Sequence, residues 1–223
     1  MIDIDPGYSI LEGVFARSEM SAVIGSLTAD PLQRSKAGAR HILGVPVVHD
    51  LASDARLLGI AREFVGQGAV PFRATLFDKS RAANWLVVWH QDTALPLRSR
   101  VDDPAWGPWS TKAGVRYAHA PAWALEQVIA LRVSLDDSTL TTGPLRLLPD
   151  SHRGGVYTDA QIERFVQTTA AVDCAASSGG VVAMRPLTVH ASSKSTDARP
   201  RRVLHIEYAA AITLRPGLHL AIG

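Results

Sequence analysis

Apolar positions recur at helical spacing in the first third of the chain. The clearest stripe has i, i+3, i+4, i+7 and i+8 spacing and consists of Leu57, Ile60, Ala61, Phe64 and Val65. This spacing predicts a helix with one buried face that begins near Ser53 and ends at Gly66 and Gly68. An earlier helix is predicted from Ser18, as its N-cap, to about Leu27. Both helices are expected to cover a sheet and to carry no chemistry of their own.

From residue 71 onward the pattern changes to short apolar runs that Gly, Pro and Asp interrupt. The predicted strands are 72–78, 85–90, 125–136, 145–148, 169–174, 181–184, 188–191 and 202–210. One helix, 160–166, interrupts them, with Thr158 or Asp159 as its cap. Short strands without regularly alternating helices favour a double-sheet jelly roll over a parallel α/β fold. We therefore predict a mainly β fold with flanking helices, a double-stranded β-helix (jelly roll, cupin-like).

The size and composition of the chain are those of one globular domain. It has 223 residues, of which 47% are hydrophobic and 20% charged. That length suffices for one substantial core, whereas two full domains would be cramped. We predict a single domain over 1–223, in which N-terminal helices of about 1–70 pack on a jelly-roll core of about 71–211.

The net charge and the cysteine content indicate which binding partners and which cellular compartment to expect. The net charge is +2 and there is no dense basic cluster with interleaved aromatics, so nucleic acid is not an expected partner. The single cysteine, Cys174, excludes an internal disulfide and a cysteine-based zinc site, and it favours a reducing compartment. The first residues lack the features of a secretory signal, and the longest apolar runs, such as 85–89, are too short to span a bilayer. These features predict a cytoplasmic protein without a membrane partner.

Two histidines and an aspartate form the first chemical signal. His90 and Asp92 lie two positions apart at the end of a predicted strand, so they share a face while Gln91 points away. His190 must be brought alongside by another strand. Two histidines and one carboxylate are the ligand set of the facial triad that holds non-haem iron(II) with open coordination positions. Alone, a His-x-Asp pair is equally an exposed polar strand end, and His190 a hydrogen-bonded core histidine.

An arginine follows the distal histidine. Arg201 has a planar, permanently charged guanidinium suited to binding a carboxylate at two points. Strand alternation places Arg201 and His205 on one face and Arg202 on the other. Both faces are mixed in polarity, so periodicity does not decide which arginine points inward. Arg201 could also pair with an acidic neighbour at the surface.

The segment 93–121 is too long and irregular for a simple hairpin loop, and loops of that length in compact domains are usually functional or disordered. Its aromatic residues argue against disorder. Trp106, Trp109 and Tyr117, with Trp123 just beyond, are therefore predicted to form a lid or wall for a substrate. The alternative is a dimer contact, since Trp and Tyr are also enriched at interfaces. The sequence does not decide the oligomeric state.

These motifs together resemble the phytanoyl-CoA dioxygenase family of iron(II)/2-oxoglutarate-dependent oxygenases. The resemblance covers roughly residues 70 to 210. It is carried by Trp-His-Gln-Asp at 89–92, by Gly-Pro-Leu-Arg-Leu-Leu-Pro-Asp-Ser-His at 143–152, and by His190 with the arginine-rich segment after it. In the middle motif Asp150 stands where the family more usually has glycine.

The resemblance implies a role for each of the residues that match the family's motifs. His90, Asp92 and His190 would be both the iron ligands and the catalytic centre. The family's arginine that binds 2-oxoglutarate lies eleven positions after the distal histidine, which selects Arg201 over Arg199 and Arg202. The implied cofactor is Fe(II), and the co-substrates are 2-oxoglutarate and O2.

The implied reaction is hydroxylation of a small organic molecule, with release of succinate and CO2. The presence of Asp92 favours hydroxylation over halogenation, because related iron halogenases carry a small residue in place of this carboxylate. The same resemblance leaves desaturation and ring closure open, and it does not name the substrate. One alternative is a non-catalytic jelly-roll protein that binds metal and 2-oxoglutarate as a sensor. Oxidative dealkylation of nucleic acid is a further alternative, which the small net charge disfavours.

Several other polar residues near the motifs are candidates for a role in the site. Thr93 either contacts co-substrate or substrate, or stabilises a turn. Lys79 and Arg73 either face the co-substrate or substrate, or are solvated charges. Ser151 and His152 are expected to end a strand and shape a turn. His205 shares a face with Arg201 and is a candidate to orient the bound carboxylate or a water.

Overall fold

The computed structural model describes Ile2, residues 5–35 and residues 38–223. The strands are β1 (Tyr8–Leu11), β2 (Gly38–Arg40), β3 (Val70–Lys79), β4 (Val87–His90), β5 (Ala94–Leu97), β6 (Trp109–Lys112), β7 (Val115–His119), β8 (Val128–Ser134), β9 (Leu145–Leu147), β10 (Val172–Cys174), β11 (Val181–Met184), β12 (His190–Ser192), β13 (Arg201–Ala209), β14 (Thr213–Arg215) and β15 (Leu218–His219). The helices are α1 (Arg17–Ala29), α2 (Pro46–Ala52), α3 (Ala55–Val65), α4 (Ala122–Leu125) and α5 (Asp159–Thr168).

Two antiparallel sheets form the framework. The large sheet has six strands in the order β1-β11-β8-β13-β3-β2, and the small sheet has four in the order β10-β9-β12-β4. Neighbouring strands in both sheets are mostly distant in sequence, as in a jelly roll. The predicted mainly β fold with flanking helices is confirmed.

Alternation along β13 gives the large sheet two different faces. Leu204 and Ile206 belong to the core that α1, α2 and α3 cover. Arg201 and His205 point the other way and line a cavity shared with the small sheet. The face of the large sheet that carries Arg201 and His205 therefore lies between the two sheets.

The predicted helices are present with shifted starts. In α3 the stripe residues Leu57, Ile60 and Phe64 are buried as expected, and Asp54 is the cap, accepting a hydrogen bond from the Arg56 backbone N–H at 2.8 Å. The prediction that Ser18 caps the first helix is wrong. The helix begins at Arg17, and the side chain of Glu19 accepts the backbone N–H of Ala16 at 2.7 Å.

The prediction of N-terminal helices over about 1–70 omits two strands that lie within this range. The strand β1 pairs with β11, and β2 pairs with β3, so both strands belong to the large sheet. Both are short, and their pairing partners are distant in sequence, so local periodicity does not reveal them. Met1, Asp3, Ile4, Lys36 and Ala37 lie outside the described residues.

The segment 93–121 is not an irregular loop. It folds into the three-stranded antiparallel sheet β5-β7-β6, in which Ala94 pairs with His119 and Trp109 pairs with Ala118. Its strands are four or five residues long, which explains why their alternation is weak in the sequence. The predicted strand 125–136 is also shorter, because α4 ends at Leu125 and β8 begins at Val128.

The structure explains why the family usually has glycine at the position of Asp150 in the middle motif. Asp150 has a φ of 62°, which lies in the left-handed region that glycine adopts without strain. Aspartate is one of the few other residues that tolerate this conformation.

Within the described residues, no helix is long and apolar enough to cross a membrane.

Candidate metal centre and its cavity

Strand pairing brings the two histidines together. His190, the first residue of β12, is the register partner of His90, the last residue of β4. Their imidazole centroids are 4.2 Å apart. Asp92 follows just after β4 ends, where its backbone N–H donates to the Pro186 carbonyl at 2.9 Å. One ligand atom from each of these three residues lies within 4.8 Å of the others.

Hydrogen bonds determine which histidine nitrogen is free. His90 Nδ1 donates to the Val88 carbonyl at 2.8 Å, and His190 Nδ1 donates to the Thr188 carbonyl at 2.9 Å. Because a carbonyl only accepts, each neutral ring carries its hydrogen on Nδ1 and keeps a lone pair on Nε2. The Nε2 atoms of His90 and His190 lie 3.7 and 3.5 Å from the two Asp92 carboxylate oxygens. These atoms could bind one cation.

Gln91, which lies between His90 and Asp92, fixes the metal motif to the neighbouring backbone. Its side-chain amide donates to the carbonyls of Leu187 and Gly155 at 2.7 and 2.8 Å, and it accepts the Tyr157 N–H at 2.8 Å. The residue is buried. The predicted separation of Gln91 from the ligand pair is therefore realised by three hydrogen bonds to the backbone.

The ionisation of the three residues suits a cation. Burial opposes the charge of Asp92, but His190 and His90 outweigh it and hold the pKa of that carboxyl well below its usual range. Burial lowers the pKa of His190 to about 4. At neutral pH Asp92 is therefore ionised and His190 neutral, which are the forms that bind metal. The donor set fits the iron(II) triad that the sequence predicts.

Next to the triad lies a cavity of about 500 Å³, a size typical of small-molecule sites. Arg201 lines it and is 3% exposed, and within the described chain its Nε has no hydrogen-bond partner. Burial, and then the charge of Arg132, lowers the pKa of Arg201 to about 10. A buried guanidinium whose Nε has no partner within the described chain is a binding group for an anion. Arg202 instead binds Asp136, and Arg199 binds Asp197.

Lys79 is the register partner of Arg201 on β3. Its Nζ donates to Ser192 Oγ at 3.0 Å and to the Ser193 carbonyl at 2.6 Å. Burial, then Arg201 and Arg132, lowers its pKa to about 8. The lysine is therefore buried beside Arg201 and is not a solvated charge.

A row of polar side chains lies on the floor of the cavity, and the sequence had indicated His205 among them but not Arg132 or Thr75. Arg132, His205 and Thr75 are register partners across β8, β13 and β3. Arg132 Nη1 donates to His205 Nδ1 at 3.0 Å. His205 thus contacts Arg132 and not Arg201. Arg73, two residues before Thr75, forms an ion pair with Glu207.

The mouth of the cavity is polar as well. Thr93 lines it, and its hydroxyl is 2.7 Å from His119 Nδ1, which ties the end of the metal motif to β7. Arg40 and Lys112 also line the cavity and are exposed. The sequence contained a signal for Arg132, a lone charge in the apolar run 128–133, but none that separates Arg40 and Lys112 from other surface cations.

None of the four aromatic lid candidates is among the residues that line the cavity in the described part of the chain. Trp106 is buried in a second apolar core against which Trp109 packs. Trp123 lies edge-to-face with Trp106, at 6.1 Å between ring centroids. Tyr117 is buried, with its hydroxyl 3.3 Å from His41 Nε2. The segment instead reaches the cavity through residues at its ends and turn, Thr93, Ala94, Lys112 and His119.

Ser151 and His152 form part of a 3₁₀ turn, as expected of residues that end a strand. Ser151 Oγ donates to the Leu148 carbonyl at 2.6 Å and accepts the Val189 N–H at 2.8 Å. This pair of bonds connects the middle motif to Val189, the residue before His190.

Solved structures resemble this one over nearly its whole length. AviO1 from Streptomyces viridochromogenes Tue57 is 22% identical, with a TM-score of 0.67, over 97% of this chain and 93% of that one. EctD from S. alaskensis, crystallised with 2-oxoglutarate and 5-hydroxyectoine, is 22% identical, with a TM-score of 0.71, over 95% and 74%. HygX from Streptomyces hygroscopicus, with nickel and 2-oxoglutarate bound, is 18% identical, with a TM-score of 0.65, over 92% and 83%. At these identities the likeness concerns the fold.

Comparison with curated protein sequences found no match. The sequence model of the phytanoyl-CoA dioxygenase family, in contrast, matches residues 6–203. The matched region includes both halves of the metal motif and Arg201. The chain therefore belongs to the phytanoyl-CoA dioxygenase family, as its motifs predicted.

Proposed function

We propose that the protein is an iron(II)- and 2-oxoglutarate-dependent dioxygenase that hydroxylates a small organic molecule. The observation that carries this proposal is the convergence of His90, Asp92 and His190 at one end of a cavity that also contains Arg201. In the reaction, one atom of O2 enters the new C–OH group and the other enters succinate, as 2-oxoglutarate loses CO2. Bound iron would supply the activation of O2.

His90, Asp92 and His190 are proposed to hold the iron, since these two histidines and one carboxylate are the ligand set of a non-haem iron(II) site. Their own geometry supports this role. Each imidazole is oriented by a backbone carbonyl, and Asp92 is held by the hydrogen bond from its N–H to Pro186. Such outer hydrogen bonds reduce the freedom of a ligand set before the metal binds.

Arg201 is proposed to bind the carboxylate of 2-oxoglutarate that does not face the metal. Its guanidinium is buried and unpaired at Nε within the described residues, so an incoming carboxylate would meet a donor that water does not screen. Lys79, held by Ser192 and Ser193, adds a second positive charge at the same end of the cavity. Thr93 is proposed to position His119 at the mouth, since the two side chains are hydrogen-bonded to each other.

The direct test is succinate formation. Protein loaded with iron under anaerobic conditions is mixed with 2-oxoglutarate and a panel of small organic molecules, and O2 is then admitted. We expect succinate and CO2 in equal amounts, with hydroxylated product for the correct substrate. Asp92→Ala is the matched control, and succinate no higher than in that variant across the panel would overturn the proposal. Tight 2-oxoglutarate binding without O2 consumption would support a non-catalytic binding protein instead.

The compartment is a separate proposal. A single cysteine, Cys174, which is buried, suits a reducing compartment. We therefore place the protein in the cytoplasm, and fractionation of cells that produce it would test this.

A further inference from the structure

The cavity contains more positive charge than the proposed co-substrate uses. Among the described residues, its lining includes the basic side chains Arg40, Arg73, Lys112, Arg132 and Arg201 but only one carboxylate, that of Asp92. Arg73 is neutralised by Glu207. Iron(II) and the dianion of 2-oxoglutarate neutralise each other, and Arg201 would bind one end of that dianion. The remaining positive charge is therefore free for another ligand.

The register of the large sheet shows where this charge lies. Arg201 and Lys79 form one pair at one end of the cavity floor, and Arg73 and Glu207 form another at the opposite end. These pairs are six residues apart along β3, or about 20 Å at about 3.3 Å per residue. Between them runs the row in which Thr75 pairs with His205. The cavity thus has the cations Arg201 and Lys79 at one end and the neutralised Arg73–Glu207 pair at the other, with the row of Thr75, His205 and Arg132 between them.

The triad faces the middle row. Asp92 and His190 line the cavity together with Thr75, Arg132 and His205 of that row. Arg40 is the register partner of Thr75, at the β2 edge of the same row. Since Ala39 belongs to the core on the other face, alternation directs Arg40 toward the cavity. Arg40 therefore lies at the β2 edge of the row that the triad faces, four residues along β3 from the Lys79–Arg201 pair.

Lys112 reaches the same place from the three-stranded sheet. Its Nζ lies 5.0 Å from the centroid of the Tyr117 ring, and the guanidinium carbon of Arg73 lies 5.3 Å from the same centroid. Burial, and then the charges of Arg40 and Arg73, lowers the pKa of Lys112. Within the described chain, neither Arg40 nor Lys112 forms an ion pair with an acidic side chain. Two cations that line one cavity and form no ion pair of their own attract an anionic ligand.

On the basis of the proposed oxygenase function, we propose that the primary substrate is a small anionic molecule, whose carboxylate or phosphate group binds between Arg40 and Lys112. This group would sit at the mouth, while the carbon to be hydroxylated lies over the triad. 2-Oxoglutarate would occupy the opposite end, at Arg201 and Lys79. The two anions would then bind together and would not compete.

Calorimetric titration tests this proposal with the anaerobic, iron-loaded protein saturated with 2-oxoglutarate, which cannot turn over. The probes are two matched pairs, phenyl phosphate with phenol and phenylacetate with phenylacetamide. We expect the anionic member of at least one pair to bind at least ~10-fold more tightly than its neutral partner, since a hydrogen-bonded charge pair contributes that much. The pair that shows the larger preference distinguishes phosphate from carboxylate.

The decisive variant is Arg40→Gln/Lys112→Gln, and the matched control is Arg116→Gln, an exposed cation on β7 that does not line the cavity. We expect the double variant to lose most of the preference for the anion while keeping its affinity for 2-oxoglutarate. Equal binding of neutral and anionic probes by the unchanged protein would overturn the inference. So would a preference that persists in the double variant, or competition between the probe and 2-oxoglutarate.

The same titrations separate this inference from the proposed function. Failure of the unchanged protein to bind 2-oxoglutarate in the presence of iron would count against the oxygenase. Normal 2-oxoglutarate binding with no preference for anionic probes would count only against the anionic substrate.

Discussion

Replacing Arg201 by methionine is expected to have opposite effects on stability and on co-substrate binding. Arg201 is buried, and its Nε has no partner in the described part of the chain. Without 2-oxoglutarate, its charge is therefore enclosed without a counter-ion. Methionine keeps an unbranched chain at this position and removes the charge.

The structure sets the size of the stability effect. Burial and the nearby charge of Arg132 lower the pKa of Arg201 from 12.5 to about 10. This change corresponds to about 3 kcal/mol by which folding disfavours the charged form. Because the folded-state pKa is the lower one, the penalty is fully present at neutral pH. After allowance for lost packing of the longer side chain, Arg201→Met should raise the free energy of unfolding of the ligand-free protein by about 1–3 kcal/mol.

The same Arg201→Met substitution should weaken the binding of 2-oxoglutarate. Truncating one partner of a buried, hydrogen-bonded charge pair weakens binding by about 2–5 kcal/mol. In urea unfolding with the redox-inert nickel ion bound, 2-oxoglutarate at about 100 times its dissociation constant should stabilise the unchanged protein by about 2.7 kcal/mol. Arg201→Met should show almost none of this increment. Arg199→Met, which removes an exposed arginine from its ion pair with the half-buried Asp197 and does not touch the cavity, serves as the control and should gain the same increment from 2-oxoglutarate as the unchanged protein. The reasoning is refuted if Arg201→Met is less stable without ligand and still gains stability from 2-oxoglutarate.

Three further predictions follow from the site. Asp92→Ala should abolish succinate formation while leaving the fold intact, as judged by circular dichroism; retained activity would exclude Asp92 as a ligand. Gln91→Leu should lower the free energy of unfolding by about 2–4 kcal/mol, because three backbone groups lose their hydrogen-bond partner, and an unchanged urea midpoint would contradict this. Burial, with Arg201 and Arg132 nearby, lowers the pKa of Lys79 to about 8, so folding disfavours its charge below that pH and the penalty disappears as the pH rises toward 10.5. The stability of the unchanged protein relative to Lys79→Met should therefore rise between pH 8 and 10 in urea unfolding, and a flat difference would show that Lys79 is not desolvated.

Local pattern was enough to predict those parts of the fold that depend on neighbours in sequence. The stripe from Leu57 to Phe64 marks the buried face of α3 because a helix repeats its environment every few residues. Alternation in β13 predicts that Arg201 and Leu204 lie on opposite faces. The short strands β1 and β2 and the sheet in 93–121 were missed, since their pairing depends on strands far along the chain or on pairs of very short segments. Trp106 illustrates the same limit: an aromatic residue after a metal motif suits a lid, but tertiary packing buried it in a core.

The sequence by itself determined the chemistry of this protein: two histidines, one carboxylate and an arginine at the spacing of one family. Residue identity and spacing carry that information because a metal ligand set needs particular atoms on particular strands. Only the tertiary structure decided which side chains share the cavity with them. The register that sets Arg40 beside Thr75, and Thr75 beside His205, joins three strands from distant parts of the chain. Such a register is selected by the packing of the whole sheet and not by the local sequence of any strand. The excess of positive charge beside the metal site is therefore a property of the fold.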